Sequence, residues 1–223
     1  MTSRYELVIF DCDGTLVDSL DGIARVLNIA LEDAGLPAGL SHWQVGSIVG
    51  LSLDEAALAL LPDQSKETRD KVVNSYRAHY KMLADEKQLD SPLFPGVRET
   101  LEQLKKDGVT VAMATGKSMR GVERVIREHH LEGIFDAIKT ADCAPSKPNP
   151  GMINQILRET SMPPEMALMV GDTEFDIFMG RAAGIHTCAV PFGCHPRDRL
   201  EKSRPTHWAE TIPDVLKLSP DAI

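Results

Sequence analysis

The sequence predicts an α/β fold, a mostly parallel sheet covered by helices, with a helical segment inserted after the first strand. Three observations predict it. Short apolar runs alternate with amphipathic helical patterns over most of the chain, the order that βαβ units produce. One stretch, Val17 to Asp90, carries helical patterns without a convincing strand and is too long for a crossover. The chain has 223 residues, 43% of them apolar, enough to bury one large core.

The first strand is read at Glu6–Phe10, where Leu7-Val8-Ile9-Phe10 is apolar throughout, as expected of a strand buried on both faces. In the insert, Asp18–Ala34 forms a helical pattern that stops at Gly35 and Pro37. Ser52-Leu53-Asp54-Glu55 has capping-box spacing ahead of Ala56-Ala57-Leu58-Ala59-Leu60. Ser65–Ala84 is a long amphipathic stretch rich in Lys, Arg and Glu. Ser91-Pro92-Leu93-Phe94-Pro95-Gly96 is turn punctuation and marks the return to the sheet. Beyond it the expected order is helix Val97–Asp107, strand Val109–Ala114, helix Ser118–His130, strand Phe135–Lys139, helix Asn149–Thr160, strand Ala167–Val170, helix Glu174–Ala183 and strand His186–Val190. Gly108 and Gly184 stand where helices need C-terminal stops. Trp43, Leu51 and Leu53 read first as core-packing residues, with a substrate-facing or protomer-facing role as the alternative.

Charge and composition exclude several classes of partner. A net charge of −9 and a pI near 5.3 argue against a nucleic-acid surface or a polybasic membrane anchor, which need clustered Lys and Arg. No basic stretch leads into an apolar segment of about 7 to 15 residues, so no secretory signal is expected. No apolar run approaches the roughly 20 residues of a membrane span. Four cysteines without a CxxC pair fit a reducing cytoplasm, not a disulfide scaffold. His186, Cys188, Cys194 and His195 form a local group of soft ligands, but their spacing matches no usual zinc pattern and reads as a strand end and loop.

The chemistry concentrates where strands end. Asp11-Cys12-Asp13-Gly14-Thr15 follows the first strand, and period-two alternation lets Asp11 and Asp13 project to one side while Cys12 points away. Two carboxylates this close repel unless a cation lies between them or one holds a proton. Magnesium is the expected relief, because it takes hard oxygen ligands and shares them with substrate phosphate. Thr115-Gly116-Lys117 follows the second strand and offers a hydroxyl and an unshielded backbone N–H to phosphate oxygens. Lys147, between Pro145 and Pro148, is a point charge on a restricted backbone. Asp172 and Asp176, one helical turn apart with Glu174 between them, follow the fourth strand. In an open parallel sheet, ligands bind beyond the carboxyl ends of the strands, so these segments are expected to converge. Lys117 and Glu174 lie near them in sequence without an assigned role.

Asp11-Cys12-Asp13-Gly14-Thr15-Leu16-Val17-Asp18-Ser19, Thr115, Lys147-Pro148 and Gly171-Asp172-Thr173-Glu174-Phe175-Asp176-Ile177 together resemble the four signatures of the haloacid dehalogenase-like hydrolase superfamily. The long helical insert resembles the cap of its phosphoglycolate phosphatase-like branch. The resemblance implies a Rossmann-like doubly wound core over residues 1–16 and 91–223, with a cap over 17–90. It implies a magnesium-dependent phosphatase acting on a small phosphomonoester such as phosphoglycolate. Asp11 is then the nucleophile, forming an aspartyl-phosphate, and Asp13 the acid and base. Magnesium falls to Asp11, the backbone carbonyl of Asp13 and Asp172, with Asp176 in direct or indirect contact. Thr115 and Gly116 hold phosphoryl oxygens, and Lys147 neutralises charge between them and Asp11. The implied partner is a small phosphorylated metabolite, and the chain is expected as a monomer or homodimer. Asp13 sets the chain apart from dehalogenase members, and the absence of any Lys before Lys66 from phosphonate-cleaving ones. Ile23 and Leu53 stand where hexose phosphomutase members place a His and an Arg, which favours hydrolysis over transfer; a phosphomutase and an idle binding or regulatory member are the alternatives. Cys12 stands where relatives often carry a large apolar residue, and Gly116 where Asn is common.

Overall fold

The computed structural model describes residues 4–221. Strand β1 (Leu7–Phe10) is followed by four helices, α1 (Leu20–Asp33), α2 (His42–Gly46), α3 (Leu53–Leu60) and α4 (Lys66–Asp85). Then come α5 (Val97–Lys106), β2 (Thr110–Thr115), α6 (Met119–Glu128), β3 (Ala137–Thr140), α7 (Gly151–Thr160), β4 (Ala167–Gly171) and α8 (Glu174–Ala182). The chain continues through β5 (His186–Ala189), α9 (Arg197–Ser203) and β6 (His207–Trp208), with 3₁₀ turns at Pro164–Met166 and Ile212–Lys217. Among the described residues no helix is long and apolar enough to cross a membrane.

All strands are parallel, in the order β3-β2-β1-β4-β5-β6. The chain builds outward from β1 on one side and then returns to build outward on the other, so the order reverses at β1 and β4. The crevice above their carboxyl ends is where such sheets bind ligands. Strand alternation divides the core between the two faces. Leu7 and Ile9 pack with Ala112 and Met169 against Met152, Ile153 and Ile156 of α7. Val8 and Phe10 pack with Val111, Met113 and Val170 against Leu101 of α5 and Val122 of α6. Each such side chain, once buried, contributes about 1.5 to 3 kcal/mol.

The inserted helices have a core of their own, in which Leu27, Ala30 and Leu31 of α1 meet Val45, Ala56 and Val72. Ser52 and Ser65 cap α3 and α4, their hydroxyls accepting from Glu55 N–H and Thr68 N–H. Entry to and exit from the insert run side by side: Val17 bridges Leu93 in antiparallel fashion, Asp18 N–H donates to the Pro92 carbonyl at 2.8 Å, and Phe94 N–H to the Leu16 carbonyl at 3.0 Å.

Several boundaries differ from expectation. Thr115 is the last residue of β2 and does not follow it, and the helix expected from Asn149 begins at Gly151 because Pro150 sits at its N-cap. The α9–β6 unit was not expected at all. Trp43 is 72% exposed and packs in no core.

Candidate active site

Asp11 extends β1 by one residue, its N–H donating to the Val170 carbonyl of β4 at 3.0 Å. Cys12 keeps the parity of Val8 and Phe10 and packs in their core, so Asp11 faces the other way. The chain then turns at Gly14, with φ +81°, and Leu16 and Val17 N–H both donate back to the Cys12 carbonyl. A Cβ at Gly14 would lie 2.1 Å from Asp172 Oδ2, so only glycine brings this turn against β4's carboxylate.

Asp11, Asp172 and Asp176 are completely buried, and ligand oxygens of all three lie within 4.8 Å of one another. Lys147, itself buried, reaches them from the loop after β3, its Nζ 2.7 Å from Asp11 Oδ1 and 2.6 Å from Asp176 Oδ1. The bond to Asp176 is a hydrogen bond. The contact with Asp11 is an ion pair through Oδ1, and Asp11 Oδ2 accepts no hydrogen bond. Asp172 accepts from Thr15 Oγ1 at 2.8 Å and from Cys194 N–H at 2.7 Å. Asp176 Oδ2 accepts from Thr173 Oγ1 at 2.7 Å and Thr173 N–H at 3.0 Å, closing the capping box of α8.

Asp13 stands apart from the three. Its Oδ1 accepts from Ser19 Oγ at 2.6 Å and Lys117 Nζ at 2.8 Å. Lys117 Nζ also lies 5.5 Å from the centre of the Tyr80 ring on α4. Asp13, Thr115, Gly116 and Lys117 line one end of a cleft of about 550 Å³ between insert and sheet. Gly116 is the point of closest approach: a Cβ there would lie 2.4 Å from the Leu51 carbonyl oxygen and 2.5 Å from that of Gly50. Ser52 N–H donates to Ser146 Oγ at 2.7 Å, a second seat for the insert.

The electrostatics follow from burial. Burial pushes the Asp11 carboxyl up to about 8, with Lys147 pulling it back and Asp176 and Asp172 adding to the rise. Burial and then Asp176 push Asp172 up to about 6, against the hydrogen bonds from Cys194 and Thr15. Burial opposes the charge on Lys147, but Asp11 and Asp176 outweigh it and hold the ammonium ionised. Lys117 behaves alike, burial opposing its charge and Asp13 restoring it.

The donor set fits a hard divalent cation. Three buried carboxylates supply hard oxygens, one cation does not balance three anions, and Asp11 Oδ2 has no N–H or O–H partner. Asp13's side chain is not among the clustered carboxylates.

The remaining polar candidates separate. Glu174 turns to Arg199, and its N–H donates to His195 Nδ1 at 3.0 Å. His186 begins β5 and His195 lies beyond its end, so the soft-ligand group does not assemble; His186 Nδ1 instead lies 2.7 Å from the Tyr5 hydroxyl. Thr15, Ser19, Lys117 and the Cys194 N–H are the supporting groups that sequence reasoning left without roles. Lys117 was expected near the site without a role, and Thr15 and Ser19 carried a signal as hydroxyls close behind Asp13.

Comparison with known proteins agrees with this arrangement. The family model described as haloacid dehalogenase-like hydrolase matches residues 8–190. A phosphoglycolate phosphatase of Aliivibrio fischeri is 31% identical, over 92% of this chain and 92% of its own length. Another, of Pseudomonas savastanoi pv. phaseolicola, is 32% identical over 98% of this chain and 80% of its own. The crystal structure of a predicted phosphoglycolate phosphatase from Haemophilus somnus 129PT superposes with a TM-score of 0.85 at 26% identity, covering 96% of this chain and 98% of that one. The chain belongs to the haloacid dehalogenase-like hydrolases and, within them, to the phosphatases of the phosphoglycolate phosphatase-like branch.

Proposed function

We propose that this phosphatase is magnesium-dependent and hydrolyses a small phosphomonoester, of the kind to which phosphoglycolate belongs, through an aspartyl-phosphate on Asp11. The observation that carries the reading is the place of Asp11: fully buried just past β1, its Oδ1 2.7 Å from the Lys147 ammonium, with Asp172 and Asp176 beside it. Lys147 favours the ionised carboxylate, the form that attacks, and a bound divalent cation would add to that against the effect of burial. An Asp11 oxygen bonds to phosphorus as the ester oxygen leaves, and Asp13 protonates that oxygen to release the alcohol. Asp13 then takes a proton from the water that attacks the aspartyl-phosphate, releasing inorganic phosphate and restoring Asp11. Ser19 and Lys117 hold Asp13 for both transfers. Thr115 and Gly116 cradle the phosphoryl oxygens, and Lys147 neutralises charge beside Asp11. Magnesium would be held by Asp11, Asp172 and the backbone carbonyl of Asp13, with Asp176 supporting them, and would supply positive charge to the phosphoryl group. The insert acts as a cap that excludes water. Ile23 and Leu53 line the cleft with hydrocarbon and offer no donor that would return phosphate to a sugar, which supports water as the acceptor.

Asp11→Asn tests the reading on para-nitrophenyl phosphate. We expect phosphate release to fall at least ~10³-fold with the far-ultraviolet circular dichroism unchanged, and a chelator to silence the parent protein. Turnover by Asp11→Asn at the parental rate would overturn the nucleophile assignment. Activity that persists in chelator would overturn the metal.

A further inference from the structure

The cleft is more spacious and more apolar than a two-carbon acid requires. Leu51 and Gly50 already rest on Gly116, and Ser52 is bonded to Ser146, so its about 550 Å³ is the space left with the insert seated. Cavities of this order enclose molecules of drug size. Ile23 and Leu27 of α1 and Val72 of α4 give it a hydrocarbon wall. Beside them Tyr76 and Tyr80, one helical turn apart, stack with ring centres 5.7 Å apart and planes 26° apart. Neither tyrosine hydroxyl bonds to another group among the described residues.

Lys117 fixes the distance between this aromatic wall and the chemistry, because its Nζ touches both Asp13 and the face of Tyr80. A substrate whose ester oxygen is served by Asp13 therefore meets Lys117 first and the Tyr80 ring beyond it. Three of the cleft's five cations are held in ion pairs, and its inner wall is hydrocarbon and aromatic. Arg77 pairs with Asp54 at 3.0 Å, Arg124 with Asp85 at 2.7 Å and Lys117 with Asp13, while Lys81 and Arg120 lie on the exposed rim. Burying a carboxylate without a partner is costly, and burying a ring against rings is favourable.

We propose that the cleft selects phosphomonoesters of ring-bearing primary alcohols, the ring lying along Tyr76 and Tyr80, over phosphoglycolate. The proposal rests on the phosphatase reading and names the substrate class for that same site. The test is kcat/KM for ethyl phosphate, phosphoglycolate and phenethyl phosphate, whose leaving alcohols are all primary, with para-nitrophenyl phosphate as a reference. Phenethyl phosphate is expected to exceed both others by about tenfold or more. Equal or lower kcat/KM for phenethyl phosphate, with para-nitrophenyl phosphate turned over, overturns this inference alone. No turnover of any ester overturns the phosphatase reading as well. Leu53→Trp, which fills the cleft mouth, should lower the phenethyl-to-ethyl ratio at least about threefold. That ratio is measured on one sample, so loss of folded protein cancels, and an unchanged ratio would place the ring elsewhere and overturn the inference.

Discussion

Asp172→Asn isolates the cost of gathering three carboxylates at the crest of the sheet. In the folded protein the Asp172 carboxyl is pushed from 3.8 up to about 6, by burial first and by Asp176 second. A displacement of about two pH units places roughly 3 kcal/mol against the ionised form. Coulomb's law gives a similar figure: the clustered oxygens lie within 4.8 Å, and two unit charges at that distance repel by roughly 3 to 4 kcal/mol at an effective dielectric of about 20. Against this, asparagine keeps one acceptor where Asp172 serves both Thr15 and Cys194, a loss of about 1 to 1.5 kcal/mol. The net is about 1 to 2 kcal/mol in favour of the variant when metal is removed, or a rise in Tm of roughly 2 to 8 °C for a chain of this size. The sign with pH follows from the raised value. The penalty is absent below the unfolded value of 3.8 and complete above about 6, so the variant's advantage grows as pH rises between them. Thermal melts in chelator at pH 5 and pH 8 measure this, and added magnesium should stabilise the parent but not the variant. A variant that melts below the parent in chelator at pH 8, or that gains as much from magnesium, would refute the reasoning.

Lys147→Met should be the opposite case. Lys147 is the buried cation bridging Asp11 and Asp176, and its loss is expected to cost about 3 to 5 kcal/mol, read as a fall in the urea midpoint together with loss of turnover. Gly116→Ala places a Cβ 2.4 Å from the Leu51 carbonyl oxygen, which must lift the insert; KM for para-nitrophenyl phosphate should rise about tenfold or more while the melting temperature barely moves.

The fold was legible wherever pattern and punctuation agreed. Leu7–Phe10 and Ala167–Gly171 are short apolar runs, and Gly108 and Gly184, both with positive φ, end their helices as read. The α9–β6 unit was not legible, because a two-residue strand has no period and Arg197–Ser203 is largely charged. Trp43 misled because size alone suggested burial, although α2 turns Val45 and Gly46, not Trp43, inward. In the site, Asp11, Asp172, Asp176 and Lys147 could be read because burying charge demands company. The hydrogen bond from Thr15 to Asp172 joins positions 157 residues apart, and the Cys194 N–H belongs to the backbone, so neither leaves a trace in residue types. Lys117 was visible but ambiguous, since only the approach of Tyr80 and Asp13 removes it from solvent.

The bridged segments at Val17 and Leu93 give the insert a single doorway. Beyond Ser19, which holds Asp13, the helices that pass through that doorway can be exchanged while Asp11, Asp172, Asp176 and Lys147 stay where the sheet puts them. A chimera that joins a relative's helices after Ser19 and before Leu93 is expected to inherit the donor's preferences while keeping this chain's Asp11, Asp13 and Ser19.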